Sequence, residues 1–189
     1  MSQGTNIPLA GDPKDPANYQ ANIAKALGVT GTRAAAIAAE YPLSVYPSPV
    51  AAFSLLVSDA SFACPALQVD RWTAARGAAT YAYQFNDDNA PVNIVGASLG
   101  LSTHGTELPY LFDQPNAPFP AMLSADQQAL AASMRTAWAG FAASSSPSTG
   151  ALPWPPIGNA TKVMSFVPLR SQVTTGFATA HHCAFWAAG

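Results

Sequence analysis

Seventeen prolines are spread through the 189 residues, and they limit the length of nearly every regular element the chain can build. Proline cannot supply the backbone hydrogen bond of a helix interior, and it pushes the residue before it out of helical geometry. With thirteen glycines besides, the prediction is short helices and strands joined by many turns. The longest uncharged apolar stretch, Tyr41–Ser58, carries Pro42, Pro47 and Pro49. It is therefore expected to break before it reaches the roughly 20 helical residues that a bilayer needs, and no transmembrane segment and no membrane partner are read. Met1–Ala10 lacks the basic region and long apolar core of a secretory signal.

The same punctuation predicts where elements begin and end. Asp15 before Pro16 is a cap-then-proline helix start, with Ile23, Ala26 and Leu27 on one face and Gly28 just past the end. A second helix is expected from about Thr32 to Tyr41, stopped by Pro42. Ser48 and Pro49 repeat the start signal ahead of Val50, Phe53, Leu56 and Val57. Cys64 and Pro65 then precede a helix with Leu67, Trp72 and Ala75 that Gly77 ends. Thr80–Phe85 alternates aromatic residues and reads as a strand, closed by the turn Asn86-Asp87-Asp88-Asn89. Ser124 and Gln127 have capping-box spacing, and Leu130, Met134, Trp138 and Phe141 follow at helical intervals as a core stripe. Thr161–Phe166 is expected to be a short edge strand, and Phe177–Trp186 a final short helix. Helix-to-strand order of this kind makes the chain α/β, in one domain over 1–189.

Charge narrows the function. Only 10% of residues are charged, against about 25% in an average soluble protein. Eight Lys and Arg face ten Asp and Glu, for a net charge of −2. Without a basic run to neutralise phosphates, nucleic acid is excluded as a partner. An apolar share of 49% excludes disorder. So few charges suggest that part of the surface is normally covered.

Three histidines can do acid–base chemistry. His104 sits in Ser102-Thr103-His104-Gly105-Thr106-Glu107-Leu108-Pro109-Tyr110, beyond the carboxyl end of the predicted strand, where α/β folds keep catalytic groups. Taken alone it fits a structural loop histidine better. Gly96-Ala97-Ser98-Leu99-Gly100 matches the G-x-S-x-G pattern that would make Ser98 a nucleophile, but an elbow needs a helix directly after it and several strands before it. The proline- and glycine-rich surroundings fit a loop better. His181, His182 and Cys183 are consecutive, and consecutive side chains do not easily converge on one tetrahedral ion. No metal and no cofactor are predicted.

Five blocks occur in one order: Ser61-Phe62-Ala63-Cys64-Pro65-Ala66; Tyr81-Ala82-Tyr83-Gln84-Phe85-Asn86; His104-Gly105-Thr106-Glu107-Leu108-Pro109-Tyr110-Leu111-Phe112; Trp138-Ala139-Gly140-Phe141-Ala142; and His182-Cys183-Ala184-Phe185-Trp186. In this register the chain resembles the C-terminal part of the type-B carboxylesterase and cholinesterase family, from about Lys14 to the end.

The resemblance implies the C-terminal part of an α/β-hydrolase fold, helix-rich with a few strands of an incomplete central sheet. It implies a Ser-Glu-His triad in which His104 is the histidine, acting on a small-molecule carboxylic ester. Glu107 matches a position read as structural. The family's nucleophile, oxyanion loop and acid lie upstream of the matched region, and neither Asp12 nor Asp15 occupies a recognisable acid motif. The chain is thus expected to carry one third of a triad, to need the missing N-terminal half, and to be inactive alone. A non-catalytic cholinesterase-like binding module and a small hydrolase using Ser98 stay open as alternatives. The resemblance further implies that Cys64 and Cys183 form a disulfide, which would place the protein in a secreted or extracytoplasmic setting.

Overall fold

The computed structural model describes residues 7–91, 102–113 and 122–188. Two compact units divide the chain, one made of Ala66–Ala180 and the other of the residues up to Pro65 together with those from His181 onward.

The second of these units is helical. Asp15 caps a 3-10 turn, Pro16–Asn18, by accepting from the Ala17 N–H, and the turn runs into α1 (Tyr19–Leu27). Gly28 closes α1 with φ +64°, a left-handed conformation in which glycine carries no Cβ penalty. Helix α2 (Gly31–Glu40) starts at the Thr30 cap, whose hydroxyl accepts from the Arg33 N–H. Helix α3 (Pro49–Ser58) starts at Ser48 Oγ, which accepts from the Ala51 N–H. The core of this unit is Tyr19, Ile23, Ala34, Ile37, Tyr41, Ala52, Phe53 and Leu56, with Phe185 and Trp186 packed against it.

The predicted break at Cys64-Pro65 is absent. A single π-turn, Asp59–Ala63, carries α3 directly into α4 (Cys64–Ala75). Pro65 has no N–H to give, and the wider turn takes up the misfit that a proline imposes on a helix. The continuous run Pro49–Ala75 is 27 residues long with a mean hydropathy of 1.6 in its most apolar window, long and apolar enough by length and composition to cross a membrane. The prolines of Tyr41–Ser58 do keep that stretch short, but the helix begins at the last of them and grows the other way. Along it Ala51, Ala52, Phe53, Leu56 and Leu67 are buried.

The last residues of this unit form α8 (Cys183–Ala187), separated from α7 (Phe177–Ala180) by His182 at φ 51°. The predicted single C-terminal helix is therefore two, since a left-handed residue ends the first and caps the second. Cys64 and Cys183 are joined by a disulfide across 119 positions.

In the unit Ala66–Ala180, three strands form a mixed sheet in the order β1-β2-β3: β1 (Ala82–Phe85), β2 (Val163–Phe166) and β3 (Gln172–Thr174). β1 and β2 are parallel, with Ala82 opposite Val163 and Phe85 opposite Phe166. β2 and β3 are antiparallel. The segment expected to be an edge strand is thus the centre of the described sheet, because the unforeseen three-residue β3 folds back onto it.

A parallel pair needs a crossover, and α6 (Ala125–Ser144) lies between β1 and β2 in the chain. Its capping box is complete, with Ser124 Oγ accepting from the Gln127 N–H and Gln127 Oε1 accepting from the Ser124 N–H. Along its stripe Leu130 and Met134 are buried and Trp138 is half-buried, whereas Phe141 is 49% exposed. Trp154 stands at the centre of this core. Its indole N–H donates to the Ala82 carbonyl, and its ring meets Phe166 edge-on at 5.3 Å and Trp138 at 5.6 Å.

Candidate active site

His104 is placed by the chain that leaves β1. Immediately after the strand, Asp87 closes an Asx turn, its Oδ1 accepting from the Asn89 N–H at 3.0 Å while its carbonyl accepts from the Ala90 N–H. The described chain resumes at Ser102, whose N–H donates to Asp88 Oδ1 at 2.9 Å and whose hydroxyl donates to the Phe85 carbonyl at 3.0 Å. Thr106 Oγ1 donates to the Thr103 carbonyl at 2.7 Å and ties off the turn that holds His104. Gly105 completes that turn at φ +84°, which favours glycine.

The turn leads into α5 (Leu108–Leu111), with Pro109 in its first turn. Tyr110, fully buried, donates its hydroxyl to Asp87 Oδ2 at 2.5 Å. Gln127 Nε2 donates to the same oxygen at 2.8 Å and to the Asn89 carbonyl at 3.0 Å. Arg135 donates to the Tyr110 carbonyl. Burial pushes the Tyr110 phenol well above its ordinary range, and the hydrogen bond to Asp87 and that residue's charge push the same way. Tyr83, though 42% exposed, is raised too, first by the burial of the rest of its side chain and then by the Glu107 carboxylate.

His104 itself is exposed, and no described residue hydrogen-bonds its imidazole. A histidine general base uses both ring nitrogens, one toward the nucleophile and one toward an orienting acid, and neither partner is found among the described residues. Ser98 lies outside the described residues. Asp12 and Asp15 serve as a turn and a cap, accepting from the Lys14 and Ala17 N–H groups.

The other two histidines sit in the helical unit and face carboxylates. His181 Nδ1 lies 2.6 Å from Asp59 Oδ1, and since a carboxylate only accepts, Nδ1 carries the hydrogen. Asp59 is buried, and its second oxygen accepts from the Tyr41 hydroxyl at 2.8 Å, which in turn accepts from the Trp186 indole N–H at 2.7 Å. His182 Nδ1 lies 2.6 Å from Glu40 Oε1, its ring 4.6 Å from that of Tyr41. Arg33 stacks over the Phe185 ring at 4.4 Å. Among the described residues no group of three or more His, Cys, Asp or Glu is arranged to hold a metal ion. Sequence reasoning missed Asp87, Tyr110, Asp59 and Glu40, whose partners are far away in the chain. Only the Asx-turn pattern at Asp87 left a local trace.

The carboxylesterase family model matches residues 21–186. The chain belongs to the carboxylesterase family. At the level of that family its chemistry is the hydrolysis of carboxylic esters, and the α/β organisation with a helix-rich body and a small mixed sheet agrees with it. No curated protein sequence matches the chain. Within the matched carboxylesterase region stand both disulfide cysteines and His104.

Proposed function

We propose that this chain is the histidine-bearing portion of a serine carboxylesterase that acts on small carboxylic esters outside the reducing cytoplasm. His104 is the general base and acid. It takes the proton of a serine hydroxyl as the serine oxygen bonds to the ester carbonyl carbon, and returns it to the alcohol oxygen as the carbon–oxygen bond breaks. Water repeats the cycle and frees the acid. The serine, the oxyanion donors and the orienting acid come from polypeptide beyond these 189 residues, whose sheet extends the one described.

The observation that carries this reading is the exposed imidazole of His104 in an H-G-T-E-L segment after β1, inside the region matched to the family. The Cys64–Cys183 bond supports an oxidising location. The exposed Tyr83 and Phe141 support a surface that further polypeptide covers. No cofactor enters this chemistry.

The test is the chain alone. It is expected to hydrolyse p-nitrophenyl butyrate no faster than its His104→Ala variant or an equal concentration of imidazole, and to take up no fluorophosphonate. Stoichiometric labelling at Ser98, with turnover lost on Ser98→Ala, would place the nucleophile inside this chain and overturn the reading.

A further inference from the structure

We infer that Asp87 and Asp88 are the positioning residues of His104: two adjacent carboxylates at the exit of β1 fasten the two ends of the segment that carries it. The inference rests on the reading of His104 as the general base. The imidazole is exposed and makes no hydrogen bond to a described residue, so the backbone on either side of it fixes where it stands. That backbone is tied on one side by Ser102 N–H to Asp88 Oδ1 at 2.9 Å. On the other it is tied by the Tyr110 hydroxyl to Asp87 Oδ2.

The chemistry of Asp87 argues that its clamp is specific. At 3% exposure its carboxylate is costly to bury unless hydrogen-bonded. Its three donors, Asn89 N–H, Tyr110 hydroxyl and Gln127 Nε2, come from the turn after β1, from α5 and from α6. One buried group thus ties the His104 segment to the strand and to the long helix. Loss of the carboxylate leaves buried donors unpaired at once, so the network is held together or released as a unit. Asp88 is exposed and sets only the entry to the turn.

The experiment uses Asp87→Asn, Tyr110→Phe and Asp88→Asn in the full chain, the second variant removing the same bond from the partner's side should the first fold poorly. Hydrogen exchange of 102–112 is compared with that of β2 as an internal reference, and ring NMR signals of the three histidines are followed. Asp87→Asn and Tyr110→Phe are expected to raise exchange of 102–112 by about tenfold or more. Protection of β2 should be kept. The His104 ring signal should shift or broaden while those of His181 and His182 stay in place. Asp88→Asn should loosen Ser102 and Thr103 only.

Unchanged exchange in 102–112, a uniform rise that includes β2, or an unmoved His104 signal would overturn the inference. None of these readouts needs ester turnover. A clamp that behaves as expected in a protein whose esterase activity is independent of His104 would count against the catalytic reading alone.

Discussion

The Asp59 carboxylate holds His181 Nδ1 at 2.6 Å on one oxygen and the Tyr41 hydroxyl at 2.8 Å on the other. With side-chain exposures of 13% and 3% for His181 and Asp59, this is a buried pair. His182 and Glu40, at 29% and 35%, are not. The same 2.6 Å separation therefore has two different energetic meanings. Asp59→Ala removes the acceptor that the His181 imidazole and the buried Tyr41 hydroxyl share, and is expected to destabilise by about 3 to 5 kcal/mol. Glu40→Gln is expected to cost about 0 to 1 kcal/mol. Urea unfolding midpoints of the two variants check the contrast, and equal losses would contradict it.

Stability should also fall at high pH. The phenols of Tyr41 and Tyr110 lie well above their ordinary value of 10.0, burial being the largest cause in each. For a group whose folded value is raised, the stabilisation is complete below the unfolded value and is lost as pH climbs from there toward the folded one. Unfolding free energy is expected to be flat near neutrality and to decline from about pH 10 upward. Tyr110→Phe should make that decline shallower. Urea titrations at a series of alkaline pH values read it directly.

Removing the disulfide should be among the costliest single changes. Closing a loop of 119 positions destabilises the unfolded chain by about 4 to 5 kcal/mol in the loop-entropy model, and often less in measurement. Reduction, or Cys64→Ser with Cys183→Ser, is expected to lower the unfolding midpoint markedly and to open 181–188 to proteolysis. Untouched stability would show that the hydrogen bonds of His181 and Trp186 already hold that segment.

The stripe along α6 makes a graded prediction. Met134 is fully buried while Phe141 is 49% exposed. Met134→Ala is expected to cost about 2 to 5 kcal/mol through transfer and cavity formation. Phe141→Ser should change stability by about 0.5 kcal/mol or less and reduce self-association of the chain in size-exclusion chromatography.

Local signals in the sequence were reliable wherever the physics is local. Ser48 and Ser124 cap the helices predicted after them, Asp15 caps the 3-10 turn that runs into α1, and Gly28 ends α1. The register of five blocks anticipated both the family and the Cys64–Cys183 bond, neither of which periodicity alone could supply. What could not be read depends on distant partners. Pro65 suggests a helix start, but a π-turn absorbs it. Thr161–Phe166 has the composition of an edge strand, and only the return of Gln172–Thr174 makes it central. Phe141 keeps helical spacing after α6 has left the core. Asp87 reads as a turn former, and its role as the acceptor for Tyr110 and Gln127 is set by residues 23 and 40 positions away.

If His104 is the base of a serine esterase, ester turnover in a polypeptide that supplies the serine must depend on its imidazole. The most direct measurement extends the chain N-terminally through the reading frame upstream of Met1 and compares ester hydrolysis with and without His104→Ala. The expected result is an upstream serine that a fluorophosphonate labels one-to-one, and a fall in kcat of about a thousandfold or more on loss of the imidazole. Full activity in the His104→Ala protein, or turnover that requires no upstream serine, would contradict it.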